Sequence, residues 1–371
     1  MGLFRTLHLG IESLNEQEWD DVVVSAWRYD FYHLSSYHRL AHRRGEGDPV
    51  LALYQEGDYW IALPLLLRPV SEVPGLEGFP YRDATSVYGY AGPLSSSPNI
   101  PSEVQRRFAL ALEDYLMGEG VVALFSRLHP LIPQQPLIGD MGRVFRAGTT
   151  VSIDLTLPPE EQWVRFRATH RNLIRRLRRA GFQCVKDADL EHLGEFAEMY
   201  RENMHRIGAA DCYHFEHDYF RSFLDMKGAG AALFVCHLDG QPACGGLFTL
   251  CGGIMQYHLS ATREEFLRLS PVRLLLDEVR LWGQRQGAWA FHLGGGVGGR
   301  EDSLFTFKAG FSDRRHEFLL WQWVLDRQAY QELCEAKTAR DRERGLEARA
   351  PGYFPAYRAP TAQPCQREQS Q

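Results

Sequence analysis

The chain has 371 residues, 44% of them apolar and 24% charged, with a formal net charge of −6 at pH 7. That length allows two domains of ordinary size with real cores, and the acidic balance argues against a protein that coats nucleic acid while leaving room for a local basic groove. No apolar run reaches the roughly 18 residues of a membrane span, and the segment from Met1 to His8 lacks signal-peptide organisation, so a soluble, cytoplasmic protein is expected.

Along the chain, Val50 to Tyr54 and Tyr59 to Leu66 are strand-like runs around Gln-Glu-Gly-Asp, which predicts a β-hairpin. Pro101-Ser102-Glu103 opens an amphipathic helix through Leu116 that stops at Gly118-Glu-Gly120, and a strand over Val121 to Phe125 follows. The same order returns later. Ala232 to Leu238 and Ala243 to Leu250 flank Asp-Gly-Gln-Pro, Ser270-Pro271 opens a helix through Trp282, and Ala288 to Leu293 is the next strand. In both copies serine is read as the N-cap, and Pro271 takes the first turn, where its missing N–H costs nothing.

Between the copies, Trp163, Phe166, His170, Leu173, Ile174 and Leu177 fall at helical spacing, with arginines crowding the other face until Gly181. This basic helix is either a solvated bridge or a surface for an anionic ligand. From about Glu335 apolar periodicity fades, which predicts a disordered tail. The expected organisation is thus 1–155 and 183–334 as two α/β domains of one fold, 156–182 as a connecting helix and 335–371 as tail.

The seven cysteines form no C-x-x-C pair, several lie in apolar strands, and no metal site is expected. Lysine is rare: of 41 basic residues only those at 186, 227, 308 and 337 are lysine. Lys308 follows a glycine loop and sits between Phe307 and Phe311. An ammonium there is a compact donor that responds to desolvation, unlike a guanidinium fork.

In the second half the chain reads Met199-Tyr200, Tyr219-Phe220, Gly245-Gly246, Ser260-Ala261, Leu293-Gly-Gly-Gly296 and Phe307-Lys308-Ala-Gly-Phe311. In the first half it reads Tyr88-Gly-Tyr-Ala-Gly-Pro-Leu94 and Arg127-Leu-His-Pro130, and Arg171 to Gly181 joins them. In this order, over about residues 5 to 330, the chain resembles the GNAT acyltransferase fold in tandem, in particular the Fem peptidyltransferases. The resemblance implies an α/β, GNAT-like fold, α+β in each of two tandem domains. It implies a transferase forming an amide bond by direct attack of an amine on an activated acyl carbon, with no covalent enzyme intermediate.

The implied donor co-substrate is aminoacyl-tRNA, as in Fem enzymes, or acyl-CoA, as in ordinary GNAT enzymes; no resident cofactor is implied. The segment Glu264 to Val272, where GNAT enzymes wrap the CoA pyrophosphate, carries no glycine, although Arg268 and the N–H groups at Ser270 could hold phosphate. The acceptor is an amine-bearing small molecule, such as a peptidoglycan or amino-sugar precursor, and its identity stays open. A non-catalytic scaffold is the reading from another class.

By resemblance Lys308 lines the donor channel, and physically it could neutralise a tetrahedral oxyanion or bind phosphate. Asp302 could orient or deprotonate the acceptor amine, or be merely a solvated loop carboxylate. Phe307 with Gly294, Gly295 and Gly296 is expected to shape the substrate site, although the glycines could equally form a plain turn. Arg127, His129, Tyr88 and Tyr90 are expected at an acceptor pocket between domains, and Arg171, Arg175 and Arg176 at the donor. His292 alternates with Phe291 and Leu293 and reads as a satisfied structural histidine.

Overall fold

Two hairpins anchor the architecture, and in each a left-handed backbone makes the turn. In chain order the strands are β1 (Leu3–His8), β2 (Asp48–Glu56), β3 (Tyr59–Pro69), β4 (Arg82–Thr85), β5 (Leu94–Ser95) and β6 (Val121–Arg127). There follow β7 (Arg143–Asp154), β8 (Gln183–Lys186), β9 (Ala232–Leu238), β10 (Gln241–Cys251), β11 (Ile254–Thr262), β12 (Ala290–Gly295) and β13 (Arg315–Val324). At the β9–β10 turn Asp239 and Gly240 have φ of 51° and 79°, the paired positive values that match a two-residue turn to strand twist. The structure is a computed structural model describing residues 2–9, 15–208, 214–348 and 352–362. It divides into one unit of 1–28, 41–146 and 319–371 and another of 29–40 and 147–318.

In the first unit the strand order is β1-β2-β3-β4-β6-β13. All neighbours are antiparallel except β4 and β6, which run parallel with Arg82 opposite Val121 and Thr85 opposite Phe125. The parallel pair needs a crossover, and helix α1 (Ser102–Gly118) provides it, burying Val104, Phe108, Leu112 and Leu116 at helical spacing. These pack with Leu63, Leu65, Leu124 and Trp321 in one core. Each such side chain withdrawn from water contributes about 1.5–3 kcal/mol.

The second unit repeats the plan as β8-β9-β10-β11-β12-β7. Its parallel pair is β11 and β12, and four helices matter to it: α2 (Pro159–Val164), α3 (Ala168–Arg179), α4 (Val272–Arg285) and α5 (Ser303–Lys308). Phe291 and Leu293 of β12, Val151 and Ile153 of β7, Ile174 and Leu177 of α3 and Leu274 to Leu276 of α4 share its core, with Cys236 and Cys244 packed as small hydrophobes.

Boundaries depart from those expected. The division falls at 146/147 rather than 155, because Val151 and Ile153 pair with β12 and pack in the second unit's core. The helix expected over 156–182 is two helices interrupted at Arg165 to Arg167, and it belongs wholly to the second unit. β13 supplies β6 of the first unit with its antiparallel neighbour, Leu320 opposite Arg127, so residues 319–334 belong there.

The region expected as a disordered tail from Glu335 contains most of helix α6 (Arg327–Glu343), capped by Asp326 on the Ala329 amide, and beyond it the buried Tyr357. Its apolar residues are sparse, roughly one per turn, too few to register as a periodic face. Neither serine is an N-cap: Pro101 and Pro271 occupy those positions, and Ser270 adopts φ of 53°. The residues 363–371 lie outside the described part.

Candidate active site

The second unit opens between its parallel strands. β11 and β12 are paired at Ile254 with Ala290, Met255 with Phe291 and Gln256 with His292, and no further. Beyond that point β11 stays with β10 as far as Thr262 opposite Cys244, while β12 turns to β7 with Gly294 opposite Val151 and Gly295 opposite Thr150. Two parallel strands that part in this way expose backbone groups at their ends, the natural seat for an extended ligand.

Lys308, the last residue of α5, spans this parting. Its side chain is 9% exposed, its Nζ donates to the Gly295 carbonyl at 2.8 Å, and it lies 5.7 Å from the centre of the Tyr257 ring. One ammonium proton is thus held by β12, which leaves two donors. Burial lowers its pKa from 10.5 to about 8, with Asp302 opposing the shift. At neutral pH Lys308 remains mostly an ammonium. Tyr257, pushed up to about 12 by burial, shares a hydrogen bond with the Ser260 hydroxyl.

A group of cations surrounds α5, and most of it was not singled out from the sequence. The Arg273 guanidinium, in the first turn of α4, stands 5.0 Å over the Phe307 ring, and Arg315 stands 5.7 Å over Phe305. Arg167 donates from its backbone to Gly310 at 2.8 Å and from Nη1 to Thr306 at 3.4 Å. Burial lowers the pKa of Arg273, and burial followed by Arg167 lowers that of Arg315, with Asp313 and Glu301 opposing the shift of Arg315. His170 donates Nε2–H to the Phe307 carbonyl at 3.0 Å, and burial lowers its pKa to about 4, so the ring is neutral. Lone arginines in a chain rich in arginine carry no sequence signal; only packing groups them.

Other expected residues have structural duties. Asp302 caps α5 by accepting from the Phe305 amide at 2.9 Å and also accepts from the Val297 amide at 2.9 Å. These backbone hydrogen bonds, that of Phe305 first, hold its carboxyl below the usual range. A carboxylate so engaged is a poor base. The glycines serve their own chain: Gly294 has φ of 77°, a Cβ on Gly295 would press on the Thr149 carbonyl at 2.6 Å, and one on Gly296 would collide with the Arg300 carbonyl and Asp302.

The basic helix α3 divides its arginines. Arg171 donates to the Val164 and Phe166 carbonyls, tying α3 to α2, and Arg178 pairs with Asp277 at 2.8 Å and Glu278 at 2.6 Å. Arg175 lies 5.5 Å over Trp163 and donates to Asn172, and Arg176 is exposed. Arg268 is exposed as well, while the Ser270 hydroxyl accepts from Arg273.

In the first unit, Arg127 stands over Tyr88 at 5.7 Å and Phe125 at 5.1 Å, and the rings of Tyr90 and His129 are 6.2 Å apart. Gln134 clamps this end of β6, accepting from the His129 amide and donating to the Ala91 carbonyl, both at 2.6 Å. Tyr88, Tyr90, Arg127 and His129 are therefore one cluster at the ends of β4 and β6, the counterpart of the parting of β11 and β12.

Residues 164–308 match the acetyltransferase (GNAT) domain family. The fold is similar to that of FemX, with a TM-score of 0.66, 15% identity, and coverage of 88% of this chain and 99% of that one. It is similar also to a conserved protein of unknown function from Bacteroides thetaiotaomicron, at TM-score 0.57 and 9% identity, covering 86% and 100%. A third similar structure is a C-terminal domain assigned to a lysylphosphatidylglycerol synthetase of Agrobacterium fabrum, at TM-score 0.51 and 16% identity, covering 82% and 90%. No curated protein matches the sequence. Residues 164–308 are thus an acyltransferase domain of the GNAT type, and with the same strand order in both units the chain has a tandem fold similar to that of FemX.

Proposed function

We infer that the protein transfers an aminoacyl group from aminoacyl-tRNA to an amine, forming an amide by direct attack. Supporting this is Lys308, buried at the parting of β11 and β12 with its Nζ 2.8 Å from the Gly295 carbonyl and Arg167, Arg273 and Arg315 around α5. The amine nitrogen bonds to the acyl carbon, the ester oxygen leaves with the tRNA, and the carbonyl oxygen passes through an oxyanion. Lys308 lies where its remaining N–H donors meet that charge, and a donor already in place costs no reorganisation. The arginines match a polyphosphate chain. The likeness of the fold to FemX and to a domain of a lysylphosphatidylglycerol synthetase favours an aminoacyl donor and a cell-envelope acceptor, a peptidoglycan or amino-sugar precursor.

The second reading is an acyl-CoA donor. Arg273 and Ser270 stand at the start of α4, where a pyrophosphate would lie, but Ser270 sits at φ of 53° with its hydroxyl already bonded to Arg273. That conformation is strained for a residue with a Cβ and leaves less room for close backbone approach than glycine. The deciding experiment offers the purified chain radiolabelled aminoacyl-tRNA or acetyl-CoA with a panel of amines. Amide product from aminoacyl-tRNA alone is expected; product from acetyl-CoA without tRNA would give the donor assignment to CoA.

A further inference from the structure

In the first unit β4 and β6 part as β11 and β12 do, and an arginine stands at the parting. Thr85 opposite Phe125 is the last pair of the two strands. Ser86 still donates its amide to the Phe125 carbonyl at 2.9 Å, and its hydroxyl then accepts from the Arg127 amide at 3.2 Å, so a side chain ends the ladder. Phe125 and Arg127 share the face of β6 that carries Phe354, whose ring is 6.4 Å from that of Phe125, whereas Leu124 and Leu128 belong to the α1 core. Two rings flank the Arg127 guanidinium, Phe125 at 5.1 Å and Tyr88 at 5.7 Å. The group reaches the surface: Tyr88 is 45% exposed, and Phe125, Arg127 and Phe354 are only partly buried.

Arg127 differs from its neighbours in having no acid. Arg68, Arg82, Arg107 and Arg358 of the same unit are also partly buried, and they meet the carboxylates of Asp83, Glu119, Glu56 and again Asp83. Among the described residues no carboxylate or carbonyl accepts from the Arg127 side chain, whose contacts are the two rings. Tyr90 supplies no anion either: burial pushes its hydroxyl up to about 12, with Arg127 opposing, so the phenol is neutral. Rings hold a guanidinium by its faces and leave its edge, the fork of N–H donors that meets a carboxylate or phosphate in two parallel hydrogen bonds. The loop that bears Tyr88 is held in place, since Gln134 clamps it at Ala91 and Gly92, at φ of 80°, has no room for a Cβ, which would collide with Gln134 Oε1. A site held ready loses little freedom when a ligand enters.

We propose that the parting of β4 and β6 is an oxyanion-binding site of the first unit, in which Arg127 takes the carboxylate or phosphate of a small molecule and the exposed ring of Tyr88 packs on the ring that carries it. The site draws on none of the cations around α5, and it does not rest on the acyl-transfer reading. One fork beside one exposed ring suits a single anionic group on an aromatic or sugar ring, rather than the chain of phosphates that several arginines would gather.

The test titrates the full chain, with no acyl donor present, with two pairs of probes that differ in the anion, benzoate against benzamide and glucose 6-phosphate against glucose, followed by ligand-observed NMR. In at least one pair the anion should bind about 10-fold more tightly, a preference for benzoate marking a carboxylate site and one for glucose 6-phosphate a phosphate site. Arg127→Gln should bring that ratio close to one, and Arg127→Lys should restore only part of it, since an ammonium lacks the fork. An arginine that serves only to cover the rings would leave the ratio where it was. Tyr88→Ala, at an exposed position, should weaken binding of the anion several-fold, and it carries the test should Arg127→Gln not fold. Wild-type protein with no preference for either anion, or a preference unchanged in Arg127→Gln or, in its place, anion binding unchanged in Tyr88→Ala, would overturn the proposal. A failure to form amide in turnover assays would leave it standing.

Discussion

The Nζ of Lys308 lies 2.8 Å from the carbonyl oxygen of Gly295, so a residue of helix α5 closes on the end of the strand that has just parted from β11. This joins one of only four lysines of the chain to the glycine segment that precedes it. Lys308→Met should lower kcat by about 100-fold with the fold retained, and Lys308→Arg should recover little, because a guanidinium fork cannot take the place of a compact ammonium.

The same burial makes a stability prediction with a definite sign. Folded Lys308 has a pKa of about 8 against 10.5 unfolded, so between these values the unfolded chain binds more protons and stability rises with pH. Lys308→Met should remove that rise. Below pH 8 it should be the more stable protein by up to about 3 kcal/mol, less about 1 kcal/mol for the hydrogen bond lost at Gly295. Urea melts of both proteins at pH 7 and pH 10 measure this; a variant less stable at pH 7 with an unchanged pH slope would refute it.

Asp302 is expected to matter for the loop rather than for proton transfer. Asp302→Ala should cost about 1 kcal/mol through loss of the cap on α5. Because the folded carboxyl titrates below its unfolded value, its contribution is complete above the unfolded pKa of about 3.9 and is lost as pH falls below it. Melting temperatures of the two proteins should therefore converge toward pH 3. A pH-independent difference would remove the carboxylate from the explanation.

Among the α3 arginines, the structure separates those engaged from those available. With Arg171 held by carbonyls and Arg178 by Asp277 and Glu278, a tRNA donor should be met by Arg175 and Arg176. Replacing both with glutamine should reduce the slope of log affinity against log salt by about 1.5. Filter binding at several salt concentrations reads this, and an unchanged slope would return the helix to a structural role.

The segment after α6 should be needed for folding. Asp83 is 0% exposed and pairs with Arg68 at 2.6 Å and with Arg358, which follows the buried Tyr357. Arg358→Ala should cost up to about 3 kcal/mol, since Arg68 remains to the carboxylate, and deletion from residue 349 onward should cost more. Thermal melts of both variants check this. Unchanged melting would restore the expectation of a disordered tail.

Short-range pattern was enough for the repeated strand and helix order, because hairpin turns such as Asp239-Gly240 and faces such as Val104, Phe108, Leu112 and Leu116 are written in neighbouring residues. Lys308 was legible by rarity and setting. Membership of units was not, since β7 and β13 join their strands through side chains such as Val151 and Trp321 whose partners lie far along the chain. The division of arginines into paired and available, the engagement of Asp302 by two amides, and the hydrogen bonds from Asp30 through Gln256 to His292 depend on contacts across as many as 226 positions. Hydrogen bonds and ion pairs act over about 3 Å, so where residues distant in sequence meet, only the folded chain decides which polar groups are spent on structure and which remain for chemistry.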